Sequence, residues 1–197
     1  MKTDEMISAI QTKLGIQVDG RAGPETWGAI YTHIVGLPLE TAVDTVDARS
    51  EKSIVTLLPE VQPLARALVH KAAFSGIQIK ILSGLRTYAE QEELYARGRT
   101  KPGNKVTNAR GGHSNHNFAI AFDIGVFEGN KYLADSAKYK AVGALGMDIG
   151  LEWGGNWKTI MDQPHFQLRP AWANSLSEKA MLAELRTRTA DKMAIYV

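Results

Sequence analysis

The chain contains no cysteine. That absence removes structural disulfides, thiolate metal sites and cysteine nucleophiles together. Any bound metal must therefore sit on histidine and carboxylate ligands, and any nucleophile must be serine, threonine or an activated water. A strong charge of either sign is also missing: 23 Lys and Arg against 21 Asp and Glu leave a formal net charge of +2. This mildly basic balance favours approach to an anionic polymer such as a cell wall, a membrane surface or nucleic acid. No basic run with interleaved aromatics marks a nucleic-acid face, so no nucleic-acid partner is expected. No apolar stretch approaches the roughly 20 residues that span a bilayer, and Met1-Lys2-Thr3-Asp4-Glu5-Met6 is not an apolar leader. The expectation is a monomer made in the cytoplasm without a signal peptide and without membrane insertion. With 197 residues, 44% of them hydrophobic, the chain can bury a full core and still carry a small extra unit.

Three zones are predicted: a helical unit over 1–35, a linker over 36–50 and a main domain over 51–197. In the first, Met6, Ile10 and Leu14 recur at helical spacing until Gly15, and Pro24 opens a second helix with Trp27, Ile30 and Ile34 as its apolar stripe. The linker is marked by Pro38 and by charges alternating with small residues. In the main domain, Val61, Leu64, Leu68 and Ala72 mark a helix that Gly76 ends, and Ile77, Ile79 and Ile81 alternate as a strand. Thr87-Tyr88-Ala89-Glu90 is a capping box opening a helix through Leu94. Phe118, Ile120, Phe122 and Ile124 alternate with Ala119, Ala121 and Asp123, which predicts one strand over 118–124. Helices over about 136–149 and 177–190 and a strand at His165-Phe166-Gln167-Leu168 complete the pattern. Helices and strands mix without regular alternation, so the predicted class is α+β.

Five histidines are present. His33 and His70 lie in helical stretches and read as structural or surface residues. His113, His116 and His165 lie in turn-and-strand contexts, where function is often carried on a rigid scaffold. The predicted strand sends its bulky residues to the core, and its other face carries only alanines before Asp123. A bent approach of the preceding loop can bring His116 to that carboxylate, and His165 can supply a third ligand. Two imidazoles and one carboxylate leave an open fourth position on zinc, as in a catalytic rather than a closed structural site. A plain His–Asp hydrogen bond in a core would explain the same spacing. Asp162, three residues before His165, can act as general base or serve only as a turn residue before Pro164.

Ser114-x-His116, Ala121-x-Asp123 and Asp162-x-x-His165 together resemble the metal signature of zinc peptidases that include VanY-type D-alanyl-D-alanine carboxypeptidases and phage L-alanyl-D-glutamate endopeptidases; the hedgehog signalling domain shares their fold. The resemblance extends over Ser83-Gly84-Leu85-Arg86-Thr87 and Glu152-Trp153-Gly154-Gly155-Asn156-Trp157. It implies that His116, Asp123 and His165 bind Zn2+, that Asp162 is the base, and that Arg86 contacts the substrate near the scissile bond. Ser114, His113, Trp153 and Trp157 are the remaining candidates for the substrate groove, although buried aromatics are more often core. The spacing of His113 from Asp123 does not match the family, which places it outside the ligand set. Ala119 stands where many relatives carry glycine, so the loop is not expected to depend on a positive φ there. Ile10-Gln11-x-x-Leu14-Gly15 with Val18-Asp19-Gly20-Arg21-Ala22-Gly23-Pro24 resembles the helical peptidoglycan-binding repeat found beside wall hydrolases. The combined expectation is a peptidoglycan hydrolase of endolysin type that cuts the L-alanyl-D-glutamate bond, stored in the cytoplasm and released to the wall. A D-alanyl-D-alanine carboxypeptidase and a non-catalytic wall-binding zinc protein are the alternatives.

Overall fold

The structure is a computed structural model describing residues 2–35, 45–158 and 160–196. The chain divides into two compact units, Met1–Thr45 and Val46–Val197. Most of the expected linker, 36–44, lies outside the described residues. Its last part is not a linker: Asp47 accepts hydrogen bonds from the backbone N–H groups of Arg49 and Ser50 and caps helix α1 of the larger unit, Ala48–Ile54.

The smaller unit holds two helices, Thr3–Leu14 and Pro24–Val35, the first ended by Gly15 in the left-handed conformation. The apolar stripes read from the sequence do not form its centre. Trp27 is 59% exposed and Ile34 76%. The buried residue is Gln11, whose Nε2 donates to Asp19 Oδ1, the Arg21 carbonyl and Thr26 Oγ1. Its Oε1 accepts from the N–H groups of Asp19 and Gly20. A single amide thus ties the first helix to the turn and to the second helix, which suits a unit too short to bury an apolar core.

The larger unit continues with α2 (Gln62–Phe74), β1 (Gln78–Ser83), α3 (Tyr88–Ala96), β2 (Ala121–Glu128), β3 (Lys131–Leu133), α4 (Lys138–Asp148), β4 (Glu152–Trp153), β5 (His165–Gln167) and α5 (Glu178–Ala190). This is the α+β class read from the sequence. Among the described residues the strands form one antiparallel sheet in the order β1-β2-β5-β4, with β3 paired to the end of β2. One face packs Ile81, Ile124 and Phe166 against Leu68 of α2 and Tyr139 and Val142 of α4. Phe122 and Phe166 are register partners whose rings stack at 5.8 Å. Helix α4 comes unusually close here: a Cβ at Gly143 would stand 2.4 Å from the Trp153 ring, and one at Gly146 would stand 2.4 Å from Phe166.

The strand expected over 118–124 begins only at Ala121. Asn115–Phe118 forms a 3-10 turn and Ala119 takes φ 57°, so the alternation breaks. Phe118 and Ile120 therefore join Met181 and Leu185 of α5 in a second apolar cluster, while Phe122 and Ile124 enter the main core.

Candidate active site

Asp123 on β2 and His165 on β5 are direct register partners on the sheet face opposite the core. Antiparallel pairing holds such side chains about 4.5–5.5 Å apart at Cβ. His116 comes from the 3-10 turn before β2, which the Ala119 backbone bends back over the sheet. The three side chains offer ligand atoms to a common point. His116 Nε2 lies 3.2 Å from Asp123 Oδ1 and 3.3 Å from His165 Nδ1, and His165 Nδ1 lies 3.3 Å from Asp123 Oδ1. The far nitrogen of each ring is engaged elsewhere. His116 Nδ1–H donates to the Gly84 carbonyl at 2.8 Å, and His165 Nε2–H donates to Gln167 Oε1 at 3.0 Å. In the neutral rings both lone pairs consequently turn towards Asp123, and a proton gained on either ring is donated to that carboxylate. Burial alone would raise the Asp123 carboxyl, but the charge and hydrogen bonds of the two histidines outweigh it and hold the group well below its ordinary range. Burial pushes the His116 imidazole down, whereas the hydrogen bond and charge of Asp123 carry His165 upward against its own burial.

Arg86 follows β1, where the register shifts between Ile81 and Ser83 and the strand turns beside Asp123. Its backbone N–H donates to the His116 carbonyl at 3.0 Å, and its carbonyl accepts from Asn117 Nδ2 at 2.8 Å, so the Arg86 loop is laced to the turn that bears His116. The guanidinium donates to Ser83 Oγ, Gln91 Oε1, Asp123 Oδ2 and His116 Nε2. Thr87 then caps α3, its Oγ1 accepting from the Glu90 N–H and its own N–H donating to Glu90 Oε2, as the sequence predicts. Asp162 is held by backbone: its N–H donates to the Gly154 carbonyl at 3.0 Å and its carbonyl accepts from the His165 N–H at 3.2 Å. Among the described residues its carboxylate accepts no hydrogen bond. Burial, with the Asp123 charge adding to it, raises that carboxyl above its ordinary range.

These residues line a cavity of about 730 Å³ together with Ser114, His113 and Trp157. Trp157 is 37% exposed, and its ring centroid lies 4.8 Å from that of His165, forming a wall over the ligand. His113 is exposed and stands outside the three-ligand group. Trp153 does not line the cavity. It is 6% exposed in the main core, and its indole N–H donates to the Gln163 carbonyl at 2.8 Å, because β4 turns it towards α4.

Ala119 corrects the sequence reading, since the loop does take a positive φ there. A left-handed alanine costs about 1–2 kcal/mol, and the strain sits three residues after a ligand. Ala119→Gly removes it at an unfolded-state entropy cost of about 0.4–1 kcal/mol. Thermal unfolding should find that variant equal to or more stable than the parent, and Ala119→Val less stable by about 2 kcal/mol or more. A clear loss of stability in Ala119→Gly would show that the backbone there is unstrained.

Residues 107–168 match the model of a D-alanyl-D-alanine carboxypeptidase family, peptidase family M15. The peptidoglycan L-alanyl-D-glutamate endopeptidase CwlK of Bacillus subtilis (strain 168) is 39% identical over 126 residues, spanning 58% of this chain and 74% of that protein. The chain belongs to the M15 peptidase family. The L-Ala D-Glu endopeptidase ChiX of Serratia marcescens shares the M15 fold with it at TM-score 0.50 and 24% identity, covering 66% of this chain and 93% of that one.

M15 peptidases are zinc-dependent, and the donor set fits that ion on its own terms. Tetrahedral zinc with bonds of about 2.0–2.1 Å needs ligand atoms about 3.3 Å apart, which the triangle supplies. Neutral imidazoles presented by their lone pairs, each anchored through the other ring nitrogen, are the form in which histidine binds zinc. Sequence reasoning missed Gly84, Gln91 and Gln167 as partners of the site. Gly84 and Gln167 stand in segments singled out above and Gln91 directly follows the capping box, but a buried amide leaves no periodicity to mark its role.

Proposed function

We propose that this M15 peptidase is a peptidoglycan hydrolase that cleaves the stem peptide at the L-alanyl-D-glutamate bond. The observation that carries the reading is the resemblance to CwlK, at 39% identity over 74% of that endopeptidase. His116, Asp123 and His165 hold the zinc. Bound there, zinc supplies a Lewis acid for the scissile carbonyl and lowers the pKa of a water to about 7. Asp162, whose carboxylate accepts no hydrogen bond among the described residues, takes the proton of the attacking water and returns it to the departing amine. Arg86 aligns Asp123 by a charge-assisted hydrogen bond. With a metal held by His116, the Arg86 N–H now directed at the His116 Nε2 lone pair would be available to developing carbonyl charge. Trp157 and Ser114 border the substrate. Digesting purified peptidoglycan and identifying the new termini by mass spectrometry tests the assignment. A new amino group on D-glutamate supports it, released D-alanine replaces it with the carboxypeptidase, and no soluble product leaves a binding protein.

The Gln11-centred unit is proposed to bind the wall, and the protein to act as an endolysin stored in the cytoplasm until lysis. The wall-binding reading is supported by the pattern Ile10-Gln11-x-x-Leu14-Gly15 with Asp19-Gly20-Arg21 and by the network that Gln11 builds from those residues. Deleting residues 1–35 should weaken pull-down on insoluble wall while sparing turnover of a small soluble muropeptide. Equal loss of both would make the unit part of the catalytic machinery.

A further inference from the structure

Behind His165 runs a polar chain, buried at Gln167 and partly exposed at its far end, that neither the motif nor the proposed mechanism uses. Gln167 lies two residues further along β5, on the same sheet face, and is fully buried. Its Oε1 accepts the His165 Nε2–H at 3.0 Å, and it also accepts from Asn115 Nδ2. Its Nε2 donates to Glu152 Oε2 at 2.7 Å, and Glu152 is its register partner on β4. The second oxygen of Glu152 lies 2.5 Å from Arg169 Nε, and Arg169 Nη2 continues to Glu178 Oε2 at 2.9 Å. An ionised carboxylate only accepts, so Glu152 leaves the amide of Gln167 a single orientation: NH2 towards Glu152 and oxygen towards His165.

We infer that Gln167, aimed by Glu152, is the positioning residue for the metal ligand His165. A neutral imidazole carries one proton, and its partner decides which nitrogen holds it. An amide oxygen behind Nε2 selects the Nε2–H tautomer and leaves the lone pair on Nδ1, the atom that faces His116 Nε2 and Asp123 Oδ1 at 3.3 Å. The opposite tautomer would point a proton at the metal. A carboxylate at position 167 would also accept from His165, but it would stand beside Glu152 in a buried sheet, where two like charges repel. Glutamine passes on the acceptor field of Glu152 without placing a second charge there. Arg169 and Glu178 fix the far end of the chain on α5.

The inference rests on the metal-site reading above, so the test reads zinc affinity rather than catalysis, by chelator competition on the full chain. Gln167→Leu keeps the volume and removes the acceptor, and should weaken zinc binding about 10–100-fold. Gln167→Glu should also weaken it, through repulsion from Glu152. The exchange variant Glu152→Gln/Gln167→Glu places a donor at 152 and an acceptor at 167, and should recover affinity towards the parent. Recovery by exchange cannot come from general damage to the sheet, which keeps the test valid even if Gln167→Leu folds poorly. Parental affinity in both single variants, or no recovery in the exchange, overturns the inference while zinc loss in His116→Ala leaves the metal site standing. Zinc retained by His116→Ala removes the metal-site reading and this inference with it.

Discussion

The Asp162→Asn protein is expected to carry its full zinc and yet cleave stem peptide roughly 10²–10⁴-fold more slowly, the usual contribution of a positioned general base. The two halves of that result have separate causes. Zinc content is kept because His116, Asp123 and His165 stay in place, and because Asp162 is fixed by its backbone N–H and carbonyl, which the substitution leaves unchanged. The rate falls because an amide cannot take the proton of the attacking water. Asp162 suits the role physically: its carboxylate borders the cavity without a hydrogen-bond partner among the described residues, and burial raises its pKa above that of a solvated aspartate. Metal analysis and wall-lysis rate measured on one preparation decide the matter. Near-parental lysis with full zinc would reduce Asp162 to a turn residue before Pro164.

His116→Ala and His165→Ala should fail at the earlier stage, with high-affinity zinc lost and activity gone, because two remaining ligands rarely suffice. Asp123→Asn should weaken the metal as well, for two reasons. It removes the one anionic ligand, and it takes from Arg86 the carboxylate that its guanidinium engages. Zinc should therefore separate Asp123→Asn from Asp162→Asn, although both change a carboxylate to an amide on the same cavity. Zinc content of dialysed protein, with circular dichroism to show that each variant is folded, tests the assignment. Stoichiometric zinc in both histidine variants would overturn it. His113→Ala should leave metal content intact, as its exposed position on the cavity wall requires.

The elements legible in the sequence were those whose burial follows a simple period. Ile79 and Ile81 announced β1, Leu68 and Ala72 announced α2, and Thr87 with Glu90 marked the start of α3 by its own chemistry. The three candidate ligands were singled out because their types suit zinc, but their spacing fits a plain His–Asp hydrogen bond as well, and the resemblance to zinc peptidases carried the choice. Alternation misled at Phe118 and Ile120, since a 3-10 turn and one left-handed residue can bury successive apolar groups in different clusters while the letters keep a period of two. Trp153 misled for a related reason: a tryptophan in a glycine-rich segment looks the same whether it faces a groove or a helix, and only the register of β4 with β5 turns it inward. Gln11 and Gln167 were invisible as organising residues. Buried amides act through donors and acceptors that arrive from distant segments, and composition carries no record of those partners.

The close approach of α4 to the sheet bears on how this enzyme can be improved. Replacing glycine by alanine inside a helix is a standard route to greater thermostability, since glycine is about 1 kcal/mol less favourable there. At Gly143 and Gly146 that route is closed, because the new methyl would meet the rings of Trp153 and Phe166 at 2.4 Å. Those rings are register partners on the two strands behind the site, and Phe166 is next in sequence to His165. Relieving the overlap would push β5 outward and carry the His165 ring with it, so a gain in helix propensity would be exchanged for a misplaced imidazole. Engineering for robustness should leave this helix face alone and work on the outer surface of α2, which contributes no residue to the cavity wall.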